Sequence, residues 1–396
     1  MAILSFQDLS FEEKEDKVRV NFLRIFYFYL NKEDLNDIGT YQVKKNEIEF
    51  PNTPQPKAEK KFYVLLEKGF KLLKNSLNQK PAMYIHKNSG IPLIGNVAFG
   101  LVDRGTNVIE VKPVTGCNIK CVYCSVDEDK RPVDFVIEES YLAEEFKKLV
   151  KFKEANDIEA HIASQGEPMM YAPLADLIRD ISQLKEVKTI SIDTNGSMLT
   201  EKKVDELIKA GLNRFNLSIN ALDPNLASKI AGMPCNIGRI QDICRYIRKK
   251  TNLIITPVLI PGINDDEMPK IIEFAKEIGA DIGIQNFMVY RLGRNPVKPI
   301  SFEGFYAKLK EWDAKYHMKL IKTEKDFNIT KTKQLPKPFR KGEVIEAEII
   351  CKGRLPNEKL AVAKDRTISV STSKEKGKVR LRIERTKHNI FIGTPI

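Results

Sequence analysis

A chain of 396 residues with 42% hydrophobic and 30% charged residues has the composition of a folded globular protein, neither disordered nor collagen-like. It holds no run of about 18 apolar residues that could cross a membrane. Its first dozen residues lack the basic start and apolar stretch of a signal peptide, and six cysteines are too few and too unevenly spaced for a disulfide framework. A reducing cytoplasm without a membrane partner is therefore expected. The net charge of +12 is concentrated at one end. Residues 331–396 carry 17 basic and 7 acidic side chains, against 48 and 46 in the rest. A near-neutral body with a basic C-terminal sixth points to a polyanionic partner, usually nucleic acid.

At about 150 residues per domain, three units are expected: 1–95, 96–325 and 335–396. The first reads as a mixed, α-rich extension. Pro51, Pro54 and Pro56 mark a loop, and Phe62, Leu65, Leu66, Leu72, Leu73 and Leu77 predict a helix over 58–79, with Gly69 weakening its middle. From residue 107 to about 288, β-branched runs alternate with amphipathic stretches. Strands are predicted at 108–111, 158–163, 189–193, 214–219, 253–259 and 282–287. Helices fall between them at 138–154, 174–183, 201–210, 225–231 with 237–249, and 267–278. Six such units predict an α/β fold, a partial (β/α)6 barrel with its chemistry at the C-terminal strand ends. A further helix is expected near 302–316, and Gln334-Leu335-Pro336-Lys337-Pro338 reads as a linker. Beyond it, short alternating segments at 343–350, 367–370, 378–383 and 389–393, punctuated by glycines, predict a small β-barrel.

Cys117, Cys121 and Cys124 stand as C-x3-C-x2-C just after the first predicted strand. Three closely spaced thiols in a reducing compartment bind a metal or a cluster. Zinc usually takes a fourth protein ligand, and none follows nearby. An iron–sulfur cluster can be held by three thiolates, leaving one iron for another partner. Cys235, in a loop, is a candidate catalytic thiol; Cys244 and Cys351 read as bystanders. His86, His161, His317 and His388 form no metal-spaced pair, and His161, on a predicted strand, reads as structural.

With Tyr123 before the third cysteine, this spacing resembles the radical S-adenosylmethionine (SAM) superfamily. Further motifs fall in order over residues 107–290. Gln165-Gly166-Glu167-Pro168 is similar to the family's glycine–glutamate element, with Gln165 in place of the usual first glycine. Thr194-Asn195-Gly196, Ser218-Ile219-Asn220 and Pro261-Gly262-Ile263-Asn264 resemble later elements. The resemblance implies one [4Fe–4S] cluster on Cys117, Cys121 and Cys124. It implies SAM contacts from Tyr123, Gln165, Gly166, Glu167, Pro168, Thr194, Asn195, Ser218, Asn220 and Gly262, with Glu167 orienting the amino group. It also implies 5′-deoxyadenosyl-radical chemistry and an electron donor such as ferredoxin or flavodoxin.

The C-terminal segment resembles the TRAM domain, a small RNA-binding β-barrel, through residues 341–349, 355–359 and 379–383. Phosphate contacts are then expected from Lys352, Arg354, Lys364, Arg366, Lys374, Lys376, Lys378, Arg380, Arg382, Arg385 and Lys387. Methylthiotransferases join a radical SAM barrel to a TRAM domain, but also carry cluster cysteines near the N-terminus. Residues 1–116 contain no cysteine, which disfavours sulfur insertion. The expected function is modification of RNA, tRNA in particular, with C-methylation of a nucleoside favoured. Modification of a protein or small metabolite, and a redox-sensing RNA-binding module, stay open.

Overall fold

Alternating β-branched and amphipathic runs build a seven-stranded sheet in the computed structural model, which describes residues 1–396. Its strands are β1 (Gly100–Asp103), β2 (Val108–Lys112), β3 (Ile158–Ile162), β4 (Val187–Thr194), β5 (Arg214–Leu217), β6 (Asn252–Ile255) and β7 (Asp281–Ile282), and they lie side by side in chain order. β2 to β7 are parallel. The connections supply α1 (Glu139–Lys153), α2 (Leu174–Ser182), α3 (Glu201–Ala210), α4 (Pro224–Ala231), α5 (Ile237–Lys250) and α6 (Glu267–Glu277), followed by α7 (Phe302–Tyr316). Thr200, Asp223, Asn236 and Ser301 cap α3, α4, α5 and α7 through their side-chain oxygens. This is the partial barrel expected from the sequence, with two differences. β1, which the sequence did not reveal, adds an antiparallel edge beside β2. The last two predicted strands are each broken, and their distal pieces, Val258–Leu259 and Gln285–Asn286, form a separate parallel ladder. Pro257, which has no N–H to give a ladder, stands at the first break.

The N-terminal extension is mixed, with more strand than the sequence suggested. A four-stranded and a three-stranded sheet flank a single long helix, Gln55–Phe70. That helix stops nine residues short of the predicted end. A Cβ on Gly69 would lie 2.3 Å from the Phe28 ring, so helix and strand approach closely there. The chain then turns so that Lys74–Asn75 can pair with Phe26–Tyr27. One continuous core of 84 buried residues runs through the extension and the main sheet.

The C-terminal segment is a closed barrel of five strands: β8 (Val344–Lys352), β9 (Glu358–Ala363), β10 (Arg366–Ser371), β11 (Gly377–Arg385) and β12 (Phe391–Pro395), closing in the order β8-β9-β10-β12-β11. β9 lies outside the expected strands. It is buried along most of its length and so lacks the alternation that marks a strand. The barrel has its own ten-residue core, while Leu360 of β9 packs into the main one. Main-chain bonds splice it to the body: Thr367 N–H donates to Ile94 O at 2.9 Å and Phe391 N–H to Gly95 O at 3.0 Å. Gly95 has φ +131°, and a Cβ there would meet Thr367 O at 2.0 Å. The expected linker is likewise fastened. Leu335 N–H donates to Asp103 Oδ2 at 3.2 Å, and Asn389 Nδ2 to Leu335 O at 3.0 Å. No helix is long and apolar enough to cross a membrane.

Candidate active site

β2 delivers the chain to Cys117 at the C-terminal edge of the sheet, where chemistry concentrates in such folds. Cys117, Cys121 and Cys124 line one cavity of about 410 Å³ together with Tyr123, Gln165, Gly166, Glu167, Thr194, Asn195 and Ser218. Ten of the expected site residues thus share a wall. The cysteine loop is held on two sides. Lys120 and Val122 donate their N–H groups to Ala231 and Ile230 carbonyls at 2.9 Å each, and Arg294 N–H donates to Cys124 O at 2.9 Å. Val126 N–H points at Cys124 Sγ, 3.5 Å away. Gly166 lies against the loop's root: a Cβ there would sit 2.2 Å from Gly116 O, so only glycine lets the two turns meet.

A buried hub that the sequence did not reveal locks these turns together. Arg131 donates from Nε to Asp134 Oδ1 at 2.8 Å, from Nη2 to Thr115 O at 2.5 Å and from Nη1 to Gln165 O at 3.2 Å. Asp134, fully buried, also accepts from Asn75 and Asn78 of the N-terminal extension at 2.8 and 2.9 Å. The extension therefore buttresses the cysteine loop. Nothing local marks Arg131 as a site residue; it acts by long-range convergence.

The donor set suits a cluster. Three cysteine thiols that line one cavity, C-x3-C-x2-C in the chain, suit three corners of a cluster. Burial pushes the Cys121 thiol up to about 12 and raises those of Cys117 and Cys124 as well. Loading must therefore expel thiol protons.

Glu167 is almost wholly buried and accepts three bonds: from Thr194 Oγ1 at 2.7 Å, Asn195 N at 2.9 Å and Met169 N at 3.1 Å. Burial outweighs these donors and lifts its carboxyl to about 7. An adjoining cavity of about 310 Å³ is lined by Cys121, Tyr123, Asn195, Ser218, Asn220, Cys235 and Arg239, so Cys235 borders the same region. Burial alone raises its thiol, leaving it protonated at neutral pH. Asn220 Nδ2 donates to Tyr123 Oη at 2.8 Å. Asn264, another residue outside the expected set, holds the Asn220 carbonyl at 2.9 Å. Cys244 and Cys351 lie apart, in α5 and β8. Pro168 and Gly262, expected as SAM contacts, line neither cavity. Pro168 opens a buried 3₁₀ turn capped by Glu167, and Gly262 sits in an exposed turn held by Asp265.

Beneath the site, the concave side of the sheet carries a polar chain. Arg214 bonds to Glu159. Ser191 Oγ donates to Glu159 Oε1 at 2.7 Å, and His161 meets Ser191 Oγ through Nδ1 at 2.8 Å and Asp193 through Nε2 at 3.2 Å. Both ring nitrogens face acceptors, which favours the imidazolium. Burial opposes that charge, but Asp193 outweighs it and His161 is raised. Asp193 lines both the upper cavity and a lower one of about 430 Å³.

On the C-terminal barrel the basic residues divide. Arg354 turns inward to Gln165 Oε1 at 3.0 Å, and the Arg366 side chain is only 11% exposed; neither lies open for a phosphate. Lys364 and Lys378 pair with Glu343 and Glu346 at 3.4 and 2.8 Å. Lys352, Lys374, Lys376, Arg380, Arg382, Arg385 and Lys387 are exposed and make no ion pair.

The family profile described as the Radical SAM superfamily matches residues 111–275, from β2 into α6. An uncharacterized protein of Methanocaldococcus jannaschii is 40% identical over 356 residues, covering 81% of this chain and 82% of that protein. The chain belongs to the radical SAM superfamily. The GTP 3′,8-cyclase of Desulforamulus reducens is 32% identical over 181 residues, 44% of this chain and 54% of that enzyme, so this chain matches about half of that relative's length. Among solved structures, TYW1 with a lysine–pyruvate adduct aligns with a TM-score of 0.43 at 22% identity, over 57% of this chain and 80% of that one.

Radical SAM enzymes use a [4Fe–4S] cluster and SAM, and when bound these supply one-electron chemistry that opens the sulfonium. In this radical SAM protein the three thiols would hold the cluster and Glu167 would accept from the SAM ammonium. Only ionised Glu167 attracts that ammonium, and the ammonium itself loses its proton at about 7.7–8.0, so SAM affinity is expected to rise as pH passes upward through about 7 and to fall again beyond about 8. Calorimetric titration at pH 6, 7 and 8 checks this. Glu167→Gln is expected to flatten the pH dependence and to weaken binding about tenfold, the scale of a lost charge-assisted bond.

Proposed function

We propose that this radical SAM enzyme modifies RNA, with tRNA as the substrate class, by radical C-methylation of a nucleoside. The observation that carries the reading is the position of the basic barrel. Its β8–β9 loop touches Gln165 on the cavity wall, so a polyanion on the barrel's exposed lysines and arginines would lie beside the chemistry. The same charge and position support a TRAM-like role for this five-stranded barrel, with salt-dependent phosphate contacts for grip. The target base must leave its stack to enter the cavity. Cys235, a protonated thiol, suits a hydrogen donor better than a methyl-carrying nucleophile. A ferredoxin- or flavodoxin-class protein would supply the electron. Nucleosides of bulk tRNA from a strain lacking the gene, compared with its parent by mass spectrometry, test the reading. One missing methylated nucleoside is expected; identical profiles would sink the tRNA assignment.

One observation favours a second reading, a small polar metabolite. Arg214, Asn216, His161 and Asp193 line the lower cavity, a set of charged and amide side chains that suits a compact polar ligand. Stimulation of 5′-deoxyadenosine release by a small-metabolite fraction, and not by RNA, would support that substrate class.

A further inference from the structure

Gln165 stands between two arginines. Arg131 holds its carbonyl from the body side, and Arg354, reaching over from the C-terminal barrel, holds its side-chain oxygen. The loop that carries Arg354 is itself fixed. Gly353 N–H donates to Glu358 O at 2.7 Å and Arg354 N–H to Glu358 Oε1 at 3.2 Å. A Cβ on Gly353 would meet that carboxylate at 2.5 Å. An arginine has donors only, so it decides which end of an amide faces it. With Oε1 committed to Arg354, the Gln165 NH2 is the end left over. It has no protein partner and is not among the sealed, unsatisfied atoms, while Gln165 lines the cluster cavity two residues before Glu167.

We infer that Arg354 is a positioning residue of the SAM site: by holding Gln165 Oε1 it frees the amide NH2 to meet an oxygen acceptor of bound SAM, so the C-terminal barrel orients one side chain of the cofactor cavity's wall. The inference rests on the cofactor and not on the identity of the substrate. A glycine at position 165 could not play this part.

The test is equilibrium binding of SAM to the anaerobically reconstituted full chain, measured by calorimetry. Arg354→Ala and Gln165→Ala are each expected to weaken SAM about three- to tenfold, the range of one hydrogen bond involving a charged group. The double variant should be no weaker than either single one, because both break the same bridge. Thr367→Val separates aiming from docking. It removes the hydroxyl bond to Pro92 O at 2.7 Å, which fastens the barrel without touching Gln165. That variant should lower the melting temperature and leave SAM affinity unchanged. The inference is overturned if Arg354→Ala binds SAM like wild type, if the two losses multiply, or if Thr367→Val weakens SAM as much as Arg354→Ala does.

Discussion

Cys117→Ala is expected to abolish reductive release of 5′-deoxyadenosine and to lower iron content together with it. Even partners that only orient a metal ligand cost about 10–100-fold in affinity or activity when removed; deleting one of three ligands should cost more than about 100-fold. No neighbour can substitute. Cys244 is fully buried in α5, Cys351 lies on the C-terminal barrel, and Cys235 borders the adjoining cavity but not the one that holds the three thiols. Iron and acid-labile sulfide per chain, measured beside 5′-deoxyadenosine by chromatography, check the result, and Cys351→Ala should leave both unchanged. Release undiminished in Cys117→Ala would remove the cluster assignment.

The second large effect concerns stability. Arg131→Ala leaves the Asp134 carboxylate fully buried without its cation. Breaking a buried pair from one side costs about 3–5 kcal/mol, a large share of the roughly 5–15 kcal/mol that holds a domain folded. Urea denaturation should show the midpoint falling by a corresponding amount. Adding Asp134→Asn should recover part of the loss, since the stranded charge is then gone while an oxygen acceptor remains for Asn75 and Asn78. Iron loading should fall even where the fold survives, because Arg131 ties Thr115, at the root of the cysteine loop, to Gln165. A loss of unfolding free energy below about 1 kcal/mol, the range of an exposed pair, would mean that the hub is not the joint described here.

The sequence disclosed what is local and left unread what converges from afar. The cysteine spacing is confined to eight residues, and Glu167, Thr194 and Asn195 stand at or just after the C-terminal ends of successive strands, in short motifs that the family resemblance marked. Arg131 works through bonds to Thr115, Asp134 and Gln165, partners scattered along the chain, and no local pattern marks it; Asn264 stands in a motif that was noticed, but its bond to the Asn220 carbonyl shows only in the fold. β9 was missed because a strand buried on both faces loses its period-two signature. The charge count located the basic barrel but could not orient it. Arg354 and Arg366 were counted with the phosphate-facing set because composition has no direction. Pro168 and Gly262 belong to motifs whose neighbours line the cavity while they themselves shape turns.

The splice at Gly95 and Thr367 bears on target choice. A barrel joined by main-chain bonds is not an arm that swings; it is a fixed jaw. A substrate held on it, as proposed, would be presented to the thiol-lined cavity at one span and one angle. On the proposed RNA reading, such a protein would work as a ruler. Among chemically identical groups along one folded target, it would reach the one lying at its own set distance from the grip, and selectivity would be written in length before it is written in contacts.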